Sequence, residues 1–146
     1  MEKLPPIEKI PEAYTAIIDN RVEMFDNYAI VKSSTLEKEY LIKWNDNLYY
    51  SNDNSTYWQN YLGYPVISVL MLQGKLSLNK DILKYFKGIN WNNLNKINKN
   101  DYHASLESAL VDISLDKRKE IDDEINKVYE EIKSMQIELT KKKNIN

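Results

Sequence analysis

The sequence has no cysteine, and this absence removes several kinds of chemistry. A chain without thiols forms no disulfide, holds no iron–sulfur cluster, builds no thiolate zinc site and has no cysteine nucleophile. The absence fits a protein of the cytoplasm, and cytoplasmic is the location we expect. Any catalysis or metal binding would have to come from other side chains.

Histidine and glycine are nearly as scarce. His103 is the single histidine and lies outside any HExxH sequence, so we interpret it as a structural or surface residue. Three glycines leave little room for a phosphate-binding loop, and the sequence contains no GxGxxG, P-loop or GxSxG motif. We therefore predict no catalytic residue, no metal site and no cofactor. A small enzyme built on His103 or on a pair of carboxylates is the alternative, and it requires a pocket lined by those groups.

The sequence also lacks a long hydrophobic run. The longest one spans residues 65–72, whereas a helix that crosses a membrane needs roughly 20 residues. Residues 1–6 have no apolar segment of the kind found in signal peptides. A net charge of −2 gives no overall attraction to nucleic acid or to an anionic membrane. We expect a chain with no membrane partner.

The first part of the chain has the patterns of short strands. A short helix is predicted at 11–19, before the strands begin. Tyr40, Ile42 and Trp44 then share one face of a predicted strand, and Leu41 and Lys43 share the other. Such strands predict a small antiparallel meander, and a meander of this size needs a cover to be stable. Its strands are expected at 22–25, 28–33, 38–44 and 48–50.

The cover is the apolar segment 65–73. Pro65 suits the first turn of a helix, and Gly74 suits its C-terminal cap. A helix this apolar is buried on most of its sides. The predicted fold class is therefore α+β: a small antiparallel β-meander covered by a buried helix, followed by a helical C-terminal half that ends in a long amphipathic helix.

The long last helix is predicted from its heptad spacing. It is expected to begin at Ser114, to reach about Thr140, and to pack on its own domain or on a partner. Acidic residues at the flanking heptad positions disfavour a homodimer through this helix. Six apolar residues form the predicted seam: Ile121, Ile125, Val128, Ile132, Met135 and Leu139. The predicted divisions are a single α+β domain at 1–113, the last helix at 114–141, and a disordered tail at 142–146.

Aromatic side chains are concentrated between residues 49 and 64. Aromatic residues with polar tips are enriched at binding surfaces, so this segment is a candidate surface for a protein or a small ligand. Its five candidate residues are Tyr50, Tyr57, Trp58, Tyr61 and Tyr64. The alternative is a loop that simply packs against the core. We predict a non-enzymatic protein-interaction module that uses this loop and the last helix to bind an unknown protein partner.

Lysines and aromatic residues are interleaved between residues 75 and 99. Lysines contact phosphates and rings stack on bases, so an adaptor that binds nucleic acid is the alternative function. The candidate patch consists of Lys80, Lys84, Lys87, Lys96 and Lys99. In the competing interpretation, Tyr85, Phe86 and Trp91 belong to the core and the lysines form its solvated outer face.

The run from Tyr28 to Leu72 resembles the SWIM zinc-finger family. That family has a strand pair of the form VxSS…YxVxW, which Val31-Lys32-Ser33-Ser34 and Tyr40-Leu41-Ile42-Lys43-Trp44 match here. The segment from Gly63 to Leu70 lies where the family has its second ligand pair and its apolar helix.

The zinc ligands of that family are replaced in this chain. Gly63 and Pro65 occupy the second Cys and His positions, and Ser51 and Asp53 lie nearest to the first pair. The resemblance therefore implies a metal-free ββα module whose loop is held by aromatic packing. It also implies binding to DNA or protein rather than catalysis.

Overall fold

The computed structural model describes residues 3–145, whose helices and strands belong to the predicted α+β class. Met1, Glu2 and Asn146, which fall in the predicted domain 1–113 and the predicted tail, lie outside the described residues. The helices are α1 (Lys9–Ile18), α2 (Asn54–Gln59), α3 (Tyr64–Leu72), α4 (Trp91–Ile97), α5 (Tyr102–Ala109) and α6 (Leu115–Ser134), with a 3₁₀ helix at Lys80–Phe86. The strands are β1 (Val22–Met24), β2 (Tyr28–Lys32), β3 (Glu39–Asn45), β4 (Leu48–Ser51) and β5 (Glu138–Thr140).

The strands form one sheet in the order β1-β2-β3-β4-β5. β1 to β4 are the antiparallel meander that the alternation predicts, with Val31 opposite Tyr40 in the β2–β3 pair. β5 then pairs in parallel with β4, which places Leu139 beside Tyr49. Side chains on the covered face, such as Val31 and Ile42, are fully buried.

α3 is the buried cover that the sequence predicts. All residues from Pro65 to Met71 are buried, as expected for a helix that is apolar on every side. The helix begins at Tyr64, with Pro65 in its first turn. Gly74 has a φ of +79°, and its N–H donates to the Met71 carbonyl at 3.1 Å. Glycine adopts this left-handed backbone without a steric penalty and so closes the helix.

α1 ties the helical half of the chain to α3. It lies against α3 and against the 3₁₀ helix. Its buried Thr15 hydroxyl donates to the Phe86 carbonyl at 2.8 Å and accepts from Trp91 Nε1 at 2.9 Å. A buried hydroxyl that is satisfied in this way avoids the cost of an unpaired polar group.

The apolar seam of α6 packs on its own chain. Ile121, Ile125, Val128 and Ile132 are all buried. The opposite side of the helix is charged and carries exposed ion pairs, such as Lys119–Asp123 at 3.5 Å. These four seam residues therefore pack within this chain, and the use of the last helix as an interaction surface stays a prediction.

The last helix is also shorter than the heptad spacing predicts. α6 ends at Ser134, and the backbone is already extended at Met135. Leu139, which the spacing places in a helical seam, instead lies on β5. The physical reason is the edge of β4, whose unpaired backbone groups are satisfied by a further strand. Ile137 is only 5% exposed, so this turn to extended chain also buries an apolar side chain.

Candidate functional site

The five aromatic residues predicted as one surface do not lie in one environment. Tyr50 is only 7% exposed, and burial raises the pKa of its hydroxyl above the ordinary value. Tyr57, Tyr61 and Tyr64 are half-buried. Trp58, in contrast, is 65% exposed. Within this group, Trp58 is the side chain with the most surface available to a partner.

Part of the predicted loop is the short helix α2. The Asp53 carboxylate begins it by accepting from the Thr56 N–H at 3.2 Å, which is the usual N-cap arrangement. Asn60 ends it with a left-handed backbone at a φ of 60°. This segment was predicted as a loop, and the sequence patterns did not predict the helix within it.

α2 presents a compact aromatic surface to solvent, formed by Tyr57, Trp58 and Lys141. The Tyr57 and Trp58 rings meet edge to face, with their centroids 4.8 Å apart. The Lys141 ammonium lies 5.4 Å from each ring centroid, which is within the range of a cation–π interaction. Lys141 follows β5 directly, so the C-terminal strand brings this lysine to α2. We call these three residues the aromatic surface.

Four residues, one within α2 and three in the segments that flank it, fix the position of this helix. We call Ser51, Asp53, Thr56 and Gly63 the Asp53 cluster. The Ser51 hydroxyl donates to Asp53 Oδ1, and the Gly63 N–H donates to the Thr56 hydroxyl at 3.0 Å. The cluster is buried and joins the end of β4 to the beginning of α3 through α2. It therefore holds the base of the helix that carries Trp58.

Positions that the SWIM resemblance treats as replaced zinc ligands meet in this cluster. Ser51 and Asp53 are hydrogen-bonded, and a Cβ on Gly63 would lie 2.1 Å from Asp53 Oδ2. Pro65 follows in the first turn of α3, where its carbonyl accepts from the Ser68 hydroxyl at 2.7 Å. A carboxylate and hydroxyls thus connect the segments here. The relationship to the SWIM family stays a prediction.

A cavity of about 180 Å³ lies at the beginning of α2, where Asn54 and Ser55 line it, and Arg21 is also part of its lining. We call it the Arg21 cavity, and its lining includes Lys9, Glu12, Arg21, Ser33, Tyr40 and Tyr64. Arg21 Nη1 donates to the Lys32 carbonyl at 2.7 Å and to the Tyr64 hydroxyl at 3.3 Å. The Tyr40 and Tyr64 rings meet edge to face, and burial raises the pKa of both hydroxyls, so both stay protonated.

Sequence reasoning did not select Arg21. A signal was present, because Arg21 and Arg118 are the only two arginines in a chain with 20 basic residues. Arginine differs from lysine in presenting a planar, always charged fork of donors. An arginine in a lysine-rich chain is for that reason a candidate for a role that lysine does not fill, and here it is buried.

The Arg21 cavity gives one pH-dependent prediction, which concerns Glu12. Burial raises the pKa of this carboxyl above its ordinary 4.5, and the Lys9 ammonium, 3.5 Å away, opposes the rise in part. The folded protein therefore holds the Glu12 proton more tightly than the unfolded chain does. The stability gained from this proton is present below the unfolded pKa and is lost as the pH rises through the folded pKa.

We expect Glu12→Gln to be more stable than the parent at about pH 7 and nearly equal to it at about pH 4. Chemical denaturation at the two pH values measures the difference. Glu23→Gln, at an exposed position of β1, is the matched control and is expected to show no such pH-dependent gain. A parent as stable as Glu12→Gln at both pH values would contradict this account of the buried carboxyl.

The lysines of the candidate nucleic-acid patch are exposed, but most of the intervening rings are not. Lys80, Lys84, Lys87, Lys96 and Lys99 all face solvent. Phe86 and Trp91 are buried. Tyr85 is half-buried, with the Lys84 ammonium 5.2 Å from its ring centroid. The structure thus brings exposed lysines to this region without a row of free rings for bases to stack on.

His103 lies on α5, where it is exposed and packs beside Tyr102 with the ring centroids 5.5 Å apart. Within residues 3–145, no three side chains among histidine, aspartate and glutamate come together in a way that would hold a metal ion. None of the helices in that part of the chain is both long enough and apolar enough to cross a membrane.

The fold and these sites define an α+β protein with a mixed five-stranded sheet, an exposed tryptophan on a short helix and a buried arginine in a cavity. The chain belongs to the family described as uncharacterised conserved protein UCP014422, whose model matches residues 2–138. Nothing among the curated proteins or the solved structures matches this chain.

Proposed function

We propose that this chain is a non-enzymatic protein-interaction module that binds its partner through the aromatic surface. The observation that carries the proposal is Trp58, which is 65% exposed although it sits on a helix anchored at its base by a buried cluster. Tryptophan is among the residues that most often dominate the energy of protein interfaces. A large ring held in place also loses little conformational entropy when it binds.

The charge beside the rings favours a particular kind of partner. Lys141 contacts both rings, and Lys142 and Lys143 follow it in exposed positions. Opposite charges at the rim of an interface raise the rate of association and select the partner. The partner we propose is a protein segment with an apolar surface that contacts the Trp58 ring. It also has acidic residues that face the three lysines.

Absent catalytic motifs and the resemblance to a binding family support a binding function over catalysis. The nucleic-acid alternative rests on the exposed lysines of residues 80–99. Its test is a mobility shift at low salt with Lys80, Lys84 and Lys87 changed together to Glu. Binding that is lost in this variant but kept in Trp58→Ala would favour nucleic acid over protein as the partner.

The protein-binding proposal is tested by quantitative affinity capture from the source cell with Trp58→Ala. We expect at least one protein to fall by roughly 10-fold or more in the captured material, because interface tryptophans commonly contribute that much. Leu115→Ala is the matched control, since Leu115 is also a large exposed apolar residue, at 88% exposure, and lies on α6. Both substitutions are at the surface and should change stability by less than about 0.5 kcal/mol. Equal capture of every protein by Trp58→Ala and by the parent would contradict the proposal.

A further inference from the structure

Arg21 is a buried cation without a carboxylate partner. As a whole residue, Arg21 is only 8% exposed. Among the described residues, the ion pairs formed within 4.0 Å do not include Arg21. Buried charges are normally paired, because removing an ion from water costs several kcal/mol.

The second arginine shows what a satisfied guanidinium looks like in this chain. Arg118 pairs with Glu107 at 2.6 Å and with Asp122 at 3.5 Å. Arg21 uses Nη1 alone, for the Lys32 carbonyl and the Tyr64 hydroxyl, and its guanidinium carbon lies 5.7 Å from the Tyr64 ring centroid. Its Nε and Nη2 groups form no hydrogen bond within residues 3–145, and neither is fully buried, so both donors remain in contact with solvent. These donors belong to a side chain that lines the Arg21 cavity.

The size of the cavity limits what those donors can receive. A volume of about 180 Å³ corresponds to roughly six waters at ~30 Å³ each. That is smaller than a typical site for a drug-sized ligand, which is at least ~300 Å³. Tyr40, Tyr64 and Ser33 add hydroxyls to the lining, and Pro65 and Trp91 add apolar surface. The cavity therefore suits a small molecule with one polar and one short apolar part.

The charges of the cavity favour one anion over another. Arg21 and Lys9 are opposed by the carboxyls of Glu12 and Asp53, which line the same cavity. A phosphate with nearly two negative charges would be repelled by two nearby carboxylates. A planar monocarboxylate brings one charge and matches the fork of a guanidinium with two parallel hydrogen bonds.

We propose that the Arg21 cavity is a binding site for a small organic monocarboxylate, with Arg21 as its charged anchor and Tyr64 as a neighbouring donor. This site is distinct from the aromatic surface, because none of Tyr57, Trp58 and Lys141 lines the cavity. The carboxylate of the ligand supplies the charge partner that Arg21 lacks in the protein.

The test uses the two arginines as probe and internal control in the full chain. Two arginines give two Nε–H signals in a ¹⁵N–¹H spectrum, and Arg118→Gln assigns them without disturbing the cavity, since neither Arg118 nor its partners Glu107 and Asp122 line it. Titration with sodium acetate and with sodium propionate, against sodium chloride at equal concentration, is expected to move the Arg21 signal along a saturating curve. Half-saturation is expected at ~1–10 mM, and the Arg118 signal should stay with the chloride control.

Variants and a second anion complete the test. Arg21→Lys keeps the charge but loses the fork, so acetate binding, followed by the backbone signals of β2, is expected to weaken by about 10-fold or more. If Arg21→Lys does not fold, the titration of the Arg118→Gln protein still decides the matter. An Arg21 signal that does not move, or that moves linearly as in chloride, would overturn the proposal. Saturation by inorganic phosphate at lower concentration than by acetate would overturn the monocarboxylate assignment.

Discussion

Replacing Gly63 with alanine is expected to lower the free energy of unfolding by about 3 kcal/mol. The added Cβ would lie 2.1 Å from Asp53 Oδ2 and 2.9 Å from its Cγ, far inside van der Waals contact. The backbone of Gly63 has a φ of −75° and a ψ of 167°, which any residue adopts, so the cost is entirely steric. Asp53 cannot easily retreat, because its carboxylate caps α2 and accepts from Ser51.

Thermal and chemical denaturation of Gly63→Ala measure this loss, which corresponds to a fall in Tm of roughly 10 °C for a chain of this size. Gly74→Ala is the matched control, because within residues 3–145 no atom other than those of its chain neighbours lies within 4 Å of its added Cβ, and its cost of about 1 kcal/mol comes from the left-handed backbone. The same change made in an Asp53→Ala background should cost much less, since the clashing carboxylate is gone. An equal cost in both backgrounds would mean that the Asp53 cluster is not packed as described.

Ile137→Ala is expected to be the second large loss, at about 3 kcal/mol. Ile137 is 5% exposed at the point where the chain leaves α6 and approaches β5. Truncating a buried isoleucine removes its hydrophobic transfer energy and leaves a cavity that the neighbours fill incompletely.

This substitution also distinguishes the strand β5 in the structure from the helix that the heptad spacing predicts for the same residues. If α6 continued to about Thr140 with its seam at Met135 and Leu139, Ile137 would occupy the outermost heptad position and its truncation would cost almost nothing. Leu115→Ala, at an 88% exposed position, sets the scale of such a surface change. Equilibrium urea unfolding of the two variants gives the comparison, and equal stabilities would favour the continuous helix over β5.

The meander and α3 were predictable because their signals are local. Period-two alternation marks β3, and an apolar run between Pro65 and Gly74 marks the buried helix. β5 was not predictable in the same way. Its residues continue the heptad spacing of α6, and its partner β4 lies about ninety residues earlier in the chain. Pairing over such a distance depends on an open edge of the sheet, and the local sequence around β5 does not show that this edge exists.

The candidate sites were predictable in composition but not in exposure. The sequence indicates a cluster of aromatic residues, yet Tyr50 is buried and Trp58 is exposed within the same stretch. What separates them is the short helix α2, whose position depends on the buried Asp53 cluster. Arg21 was missed because its importance comes from the lack of an ion-pair partner in three dimensions, which a sequence does not display.

The claim that the chain works through the aromatic surface is tested most directly by site-specific photo-crosslinking in the source cell. Trp58 is replaced by the photo-reactive analogue p-benzoylphenylalanine, and the same replacement at Leu115 is the control. The account predicts a discrete crosslinked protein from position 58 that is absent from position 115. No adduct at position 58, or the same adducts at both positions, would contradict it.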